Sequence, residues 1–246
     1  MRTITVLGSC GAFPEPDRAC SGFLIEWDGF RLVLDLGYGT LPRLLNHRRD
    51  GAVDAVVVTH EHPDHCIDLH GLFRLHRYGG AGGDRIPLFC PPGVLDRLAG
   101  LEPDMDLGDV FQHRHLPGVH RIGPFELHGI PLPHHVPNAG VRLTAQRTVL
   151  AYTGDTGPDP ALATLGRDAD LFIVECTDRP GEAEQPHRNL MTAEEAGLWA
   201  ARARARRLML THFWPGNDRR DAVRRARQSF DGPVLTAEEG TTTPLA

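Results

Sequence analysis

The chain has 246 residues, a net charge of −6 at pH 7, 41% hydrophobic residues and 24% charged residues. These proportions are typical of a folded globular protein, and the acidic balance argues against stable binding to nucleic acid, which requires a basic surface. No stretch approaches the roughly 20 apolar residues of a membrane span, and Met1–Leu7 enters an alternating strand without a signal-peptide core. The five cysteines show no paired spacing, which indicates a reducing compartment and predicts a cytoplasmic protein.

The first half of the chain alternates strands with short helices. The patterns predict strands at 2–7, 22–27, 30–35, 55–58 and 86–89, and helices near 41–46, 68–77 and 92–99. Asp28-Gly29 joins the second and third strands and is a strong hairpin signal. The glycine-rich stretch 79–83 lacks the Lys-Ser/Thr of a phosphate-binding loop, so we interpret it as a flexible connection.

The second half repeats this alternation. Strands are predicted at 125–131, 141–143, 149–153, 171–175 and 208–210. A capping box at Thr192–Glu195 predicts a helix that reaches about Arg204, and a last helix is expected at 219–230. There is no linker or internal repeat. We therefore predict one α/β domain, residues 1–246, with helices packed on the outer sides of two sheets.

The most informative stretch is Thr59-His60-Glu61-His62-Pro63-Asp64-His65, which directly follows an apolar strand. A short loop cannot bury three imidazoles and a carboxylate without partners, because unpaired polar groups are costly to bury. A metal ion would satisfy them together, since imidazole nitrogen and carboxylate oxygen are ligands of borderline cations such as zinc. The alternate spacing of His60, His62 and Asp64 suits two ions better than one. The alternative is a polar loop that is merely rich in histidine.

Three later strands also end in a residue that could bind a metal: His134, Asp155 and His212. Strand ends hold ligands more rigidly than free loops do. Each residue is a weak signal by itself, since a lone histidine at a strand end is more often structural. Together with the first motif, their order along the chain is specific.

This order resembles the metallo-β-lactamase superfamily, whose members share His-x-His-x-Asp-His, a later histidine, an aspartate after a strand and a last histidine. The resemblance covers essentially the whole chain and implies an αββα four-layer sandwich. It also implies two divalent metal ions, which we expect to be Zn²⁺, with Mn²⁺ as an alternative. The residues that match the ligands of the first ion are His60, His62 and His134. Those of the second are Asp64, His65 and His212, and Asp155 matches the bridging ligand. The best-known zinc β-lactamases carry a cysteine at the position of Asp155, so antibiotic hydrolysis is not expected.

Within the superfamily the chain is most similar to the ribonuclease Z-like phosphodiesterase branch, and in particular to its short bacterial members. The matching segments are Gly8–Pro14, His134 with Gly140, Tyr152–Thr156 and Leu210–Phe213. The spacing to Gly140 favours His134 over His135 as the ligand. The resemblance implies hydrolysis of a small phosphodiester, such as a cyclic nucleotide, by a metal-activated water. Asp64 would act both as a ligand and as a proton acceptor.

Two departures from ribonuclease Z bear on the substrate. Only nine residues separate Arg142 from Tyr152, where ribonuclease Z carries a long arm that grips tRNA. Leu190 stands where that enzyme has a proton-donating histidine before Thr192-Ala193. His187 is the candidate substitute, and an exposed histidine without a catalytic role is the equal alternative. Three other functions stay open: hydrolysis of a thioester or lactone, 3′ processing of RNA, and metal binding without catalysis.

Several neighbours of the motif receive supporting roles. We expect Asp35 and Asp68 to accept hydrogen bonds from ligand imidazoles, although Asp35 could instead cap a turn. Cys66 follows His65 directly and is interpreted as a buried filler rather than as a ligand. The oligomeric state stays open, with a homodimer as one option.

Overall fold

The computed structural model describes residues 1–79, 84–179 and 181–245, so the predicted glycine-rich connection falls almost entirely outside the described residues. The chain divides into two compact units. The first comprises Met1–Leu116 and Glu239–Pro244, and the second comprises Pro117–Glu238 with the C-terminal Leu245. Each unit has a seven-stranded mixed sheet and its own helices, which confirms the α/β class. That the whole chain acts as one domain stays a prediction.

The first unit is built on a sheet with short connections. Its strands are β1 (Arg2–Gly8), β2 (Gly22–Trp27), β3 (Phe30–Leu36), β4 (Ala55–Val57), β5 (Ile86–Cys90), β6 (Phe111–His115) and β14 (Thr242–Pro244), in the order β14-β1-β2-β3-β4-β5-β6. Its helices are α1 (Thr40–His47), α2 (Pro63–Cys66), α3 (Asp68–Tyr78) and α4 (Val94–Ala99). The helices and the sheet share a core that includes Val33, Val56 and Phe73.

The pairing of β3 with β4 determines where the histidine motif begins. The two strands run parallel, with Leu34 opposite Val57, so both end at the same edge of the sheet. Asp35 and Thr59 follow this matched pair and therefore come together. The predicted hairpin between β2 and β3 is confirmed, and its turn residues Asp28 and Gly29 both have positive φ, at 49° and 100°.

The second unit has a sheet with the order β13-β12-β11-β10-β9-β8-β7. Its strands are β7 (Gly118–Ile122), β8 (Phe125–Leu132), β9 (Asn138–Ala145), β10 (Thr148–Tyr152), β11 (Leu171–Glu175), β12 (Leu208–Thr211) and β13 (Val234–Thr236). Its helices are α5 (Ala161–Leu165), α6 (Ala193–Arg202) and α7 (Arg219–Ala226). Because β10 to β13 run parallel, their carboxyl ends meet at one edge.

Several element boundaries differ from those predicted. The capping box is confirmed, since Thr192 Oγ1 accepts from the Glu195 amide, but α6 ends at Arg202 because Arg204 adopts a left-handed conformation with φ 55°. Residues 63–66 form a helical turn rather than a loop. The sequence patterns missed β6, β7, β13, β14 and α5, which are short or alternate weakly. Within the described residues, every helix is too short or too polar to cross a membrane. A cytoplasmic location and a homodimer stay predictions.

Candidate metal centre

The histidine motif forms a compact cluster of ligand-type side chains in the first unit. Pro63 occupies the first turn of α2, where its missing N–H costs nothing, and the turn places Asp64 and His65 in the interior. His60 Nε2 lies 3.1 Å from His62 Nδ1, and His65 Nε2 lies 3.7 Å from Asp64 Oδ2. The rings of His60 and His65 are 4.1 Å apart between centroids.

Asp35 fixes the protonation pattern of this cluster. Its buried carboxylate accepts hydrogen bonds from His65 Nδ1 at 2.8 Å, from the Thr59 amide at 2.8 Å and from the Thr59 hydroxyl at 2.9 Å. Because a carboxylate only accepts, the neutral form of His65 carries its proton on Nδ1 and has its lone pair on Nε2. Thr59 uses its hydrogen on Asp35, so its oxygen accepts from His60 Nδ1 at 3.1 Å. Asp35 thus accepts a hydrogen bond from an imidazole of the motif, as predicted, and the role of His65 as a metal ligand stays a prediction.

Asp64 is held by the segment that follows β1 and by the end of β3. The Ala12 amide donates to Asp64 Oδ2 at 2.7 Å, and the Ser21 amide donates to the Asp64 carbonyl at 3.2 Å. A side chain on Gly37 would lie 1.9 Å from that same carbonyl oxygen, so only glycine fits there. The stretch Gly8–Pro14 therefore contributes to the centre by positioning a carboxylate.

Two neighbours of the motif behave as packing or capping groups. The Asp68 carboxylate accepts from the Leu41 amide at the start of α1, at 2.8 Å, so the prediction that it binds a ligand imidazole is wrong. Cys66 is fully buried and directs its thiol to the Glu61 carbonyl, as expected of a filler. Burial raises the pKa of the Cys66 thiol to about 12, which keeps it protonated at neutral pH.

The second unit gathers its ligand-type residues from three strand ends. His134 follows β8, Asp155 follows β10 and His212 follows β12. Asp155 Oδ2 lies 3.8 Å from His134 Nε2, and Asp155 Oδ1 lies 3.2 Å from His212 Nε2. One buried carboxylate thus directs each of its oxygens to a different imidazole.

The other nitrogens of these imidazoles are held by groups that the sequence did not reveal. His134 Nδ1 donates to the Asn189 carbonyl at 3.0 Å, and His212 Nδ1 lies 2.8 Å from Thr177 Oγ1. Thr177 in turn donates its hydroxyl hydrogen to Glu175 Oε2 at 2.6 Å, so its oxygen accepts from His212. One sequence signal pointed to these groups. Glu175 ends the apolar run Leu171–Val174, and a buried carboxyl group at that point needs hydrogen-bond partners.

Glu175 is fully enclosed, and two opposing effects act on it. Burial raises the pKa of Glu175 to about 8, the negative charge of Asp155 adds to the rise, and the nearby His212 and Thr177 lower it. The amides of Met191 and Thr177 also donate to the carboxylate, at 2.7 and 2.9 Å. These donors stabilise the ionised form, and a positive charge beside Asp155 would stabilise it further.

These hydrogen bonds test whether the residues fit a metal ion. In His65, His134 and His212 the protonated Nδ1 faces an acceptor, and the Nε2 lone pair faces a carboxylate oxygen. Two acceptors repel each other unless a positive charge lies between them. Imidazole nitrogen and carboxylate oxygen are ligands of divalent cations. The His/Asp clusters are therefore suitable for binding divalent metal ions.

His187 lies outside these clusters, on an exposed segment between a 3₁₀ turn at Glu182–Glu184 and α6. Its side chain lines a cavity of about 270 Å³ together with His135 and Asn189. His135 packs edge-on against His134, with ring centroids 5.2 Å apart. His187 thus shares a cavity wall with His135, which packs against His134.

The sheet topology and the His/Asp clusters define a metallo-hydrolase with the metallo-β-lactamase fold. The model of the beta-lactamase superfamily domain matches residues 31–213, and the chain belongs to this superfamily. The fold and family predicted from the sequence are confirmed.

Three relatives span nearly the whole chain. The ML1173 protein of Mycobacterium leprae is 36% identical over 97% of this chain and 87% of its own length. A ribonuclease Z from Myxococcus xanthus is 30% identical over 98% of this chain and 97% of its own. The crystal structure of the metallo-beta-lactamase fold protein YhfI from Bacillus subtilis superimposes with a TM-score of 0.87 at 25% identity and covers 98% of both chains.

Proposed function

We propose that the chain is a metal-dependent phosphodiesterase with a dinuclear centre. The resemblance to the superfamily assigns His60, His62 and His134 to the first ion and Asp64, His65 and His212 to the second, with Asp155 as a ligand of both. The observation that carries the proposal is Asp155, whose two oxygens face the Nε2 atoms of two different histidines. Such a carboxylate is suited to bridging two cations.

The bound ions, Zn²⁺ in the first instance and Mn²⁺ as the alternative, would activate a water and neutralise charge on the phosphoryl oxygens. The protein residues have separate tasks in this proposal. Asp64, oriented by the Ala12 amide, is both a ligand and the acceptor of the water's proton. His187, in the cavity wall near His134, donates a proton to the leaving oxygen.

The proposed substrate is a small phosphodiester such as a cyclic nucleotide. In support, β9 and β10 are joined by the two-residue turn Gln146-Arg147, at the position where ribonuclease Z carries its arm for tRNA. The net charge of −6 also gives no general attraction to RNA. Processing of RNA 3′ ends is the second candidate, because relatives such as the Myxococcus protein bear the name ribonuclease Z.

The decisive experiment is a substrate panel with protein loaded with Zn²⁺ or with Mn²⁺. The panel contains bis-(4-nitrophenyl) phosphate, cyclic nucleotides, a precursor tRNA, a thioester and a lactone, and chelator-treated protein is the control. We expect metal-dependent turnover of the small phosphodiesters. Efficient tRNA cleavage with little small-substrate turnover would favour the second candidate. Turnover confined to the thioester or lactone would refute the phosphodiesterase proposal.

A further inference from the structure

The cavity beside His134 contains an arginine, Arg179, to which the proposed chemistry at the metal centre gives no role. Arg179, His135 and His187 line it, and all three are exposed. Among the described residues no carboxylate pairs with Arg179, whose guanidinium lies 5.7 Å from the centroid of the Trp214 ring. Arginine is the side chain best suited to grip phosphate and carboxylate groups, because its planar fork donates two parallel hydrogen bonds.

The acidic residue in the same wall is already engaged. Glu182 is 7% exposed, and its Oε1 accepts from the Asn189 amide at 3.1 Å. The neighbouring Arg188, by contrast, is committed to an ion pair with Glu195, whose Oε2 lies 2.8 Å from Arg188 Nη2. Arg179 is therefore the guanidinium of this segment that can take a ligand.

Two residues of the cavity wall contact a proposed metal ligand, His134. Asn189, which lines the cavity, accepts the hydrogen bond of His134 Nδ1 through its carbonyl, at 3.0 Å. His135 lines it and stacks edge-on against His134. The residues that accept from His134 and pack against it thus also form the wall of the cavity that contains Arg179.

We propose that this cavity is an anion subsite, in which Arg179 binds a second phosphate group of the substrate. The proposal rests on the proposed function and narrows it to phosphodiesters that carry an additional terminal phosphate. Arg179 is thus assigned to substrate selection.

The test uses two chromogenic substrates with the same scissile bond, thymidine 5′-(4-nitrophenyl phosphate) and its 3′-phosphorylated form. The metal-loaded wild type should prefer the phosphorylated form. Arg179→Ala should lower kcat/KM for that form by roughly 10- to 100-fold, as expected for the loss of a hydrogen bond between charged groups, and should leave the other substrate unchanged. Arg202→Ala is the matched control, since Arg202 also lies over a tryptophan, Trp199, at 4.7 Å but outside the cavity.

Equal kcat/KM values for the two substrates in the wild type, or equal losses on both in Arg179→Ala, would overturn the subsite. Turnover of neither substrate would count against the phosphodiesterase function instead. Calorimetry with thymidine 3′,5′-bisphosphate would then decide the subsite separately. Binding that weakens about 10-fold or more in Arg179→Ala supports it, and equal binding by both proteins refutes it.

Discussion

The two units present their ligand-type residues by different means. In the first unit four ligand-type residues come from one stretch, His60–His65, and a carboxylate, Asp35, holds His65 directly at 2.8 Å. In the second unit three strand ends each supply one residue, and a threonine, Thr177, stands between His212 and the carboxylate of Glu175. In both arrangements Nδ1 of the imidazole lies within hydrogen-bonding distance of an oxygen atom, and Nε2 faces a carboxylate oxygen.

The difference shows that a carboxylate can orient an imidazole directly or through a hydroxyl. A direct charge-assisted hydrogen bond is roughly twice as strong as a neutral one. The relayed arrangement puts the carboxyl group of Glu175 farther from the histidine and surrounds it with backbone amides. The first unit should therefore tolerate the loss of its orienting group less well than the second.

The largest effect is expected from Asp155→Ala. This substitution removes the carboxylate that serves both proposed ions, so turnover of a small phosphodiester should fall to background under metal saturation. Asp168→Asn is the matched control, because Asp168 lies in the same unit in an exposed ion pair with Arg204. Full activity of the Asp155 variant would rule out its bridging role.

His187→Ala should have the next largest effect, and only on substrates with a poor leaving group. Loss of a general acid typically costs 10²- to 10⁴-fold, so cleavage of a cyclic nucleotide should slow by about that factor. Bis-(4-nitrophenyl) phosphate should react almost normally, because nitrophenolate leaves without a proton. The half-buried His128 in β8, which pairs with Glu126, provides the control substitution, His128→Ala. Small, equal losses on both substrates would make His187 a residue without a catalytic role.

A smaller effect is expected from the groups that orient the ligands. Asp35→Asn and Thr177→Val should each weaken metal binding by about 10- to 100-fold in competition with a chromogenic chelator. The Asp35 substitution should have the greater effect because it replaces the charged acceptor. Thr148→Val, at another buried threonine of the second unit, is the control. A Thr177 variant with unchanged affinity would show that the relay does not orient His212.

The smallest effect concerns pH and the metal-free chain. Because burial raises the pKa of Glu175 from 4.5 to about 8, the folded chain holds a proton that the unfolded chain releases near pH 4.5. The resulting stabilisation is complete below pH 4.5 and is lost as the pH rises to about 8. Denaturant titrations should show this decline in the wild type and in the exposed-site control Glu194→Gln, and a flatter profile in Glu175→Gln. Identical slopes in all three proteins would mean that Glu175 stays ionised throughout.

The same contrast explains how far the sequence could predict the centre. The ligand-type residues of the first unit lie in one short stretch, and so many polar groups next to a buried strand require a common partner. His134, Asp155 and His212 are dispersed, and the resemblance to a family was needed to group them. Asp35 and Asp68 were both predicted as acceptors for imidazoles; the parallel pairing of β3 with β4 brings Asp35 to the motif, whereas Asp68 caps the start of α1 instead.

Glu175, Thr177 and Asn189 could not be predicted from local patterns. Thr177 and Asn189 act on His212 and His134 from 35 and 55 residues away in sequence. The strands that the sequence patterns missed also depend on contacts with distant parts of the chain. β6 has a single buried residue, Phe111, and gains its structure from parallel pairing with β5 rather than from its own alternation.

The most direct test of the account is the metal content of protein purified without chelators, measured by plasma mass spectrometry together with native protein mass. The account predicts two divalent ions per chain in the wild type and the loss of most of one ion in Asp155→Ala. A wild-type chain that saturates with one ion, or an Asp155→Ala variant that still holds two, would contradict the shared role of Asp155.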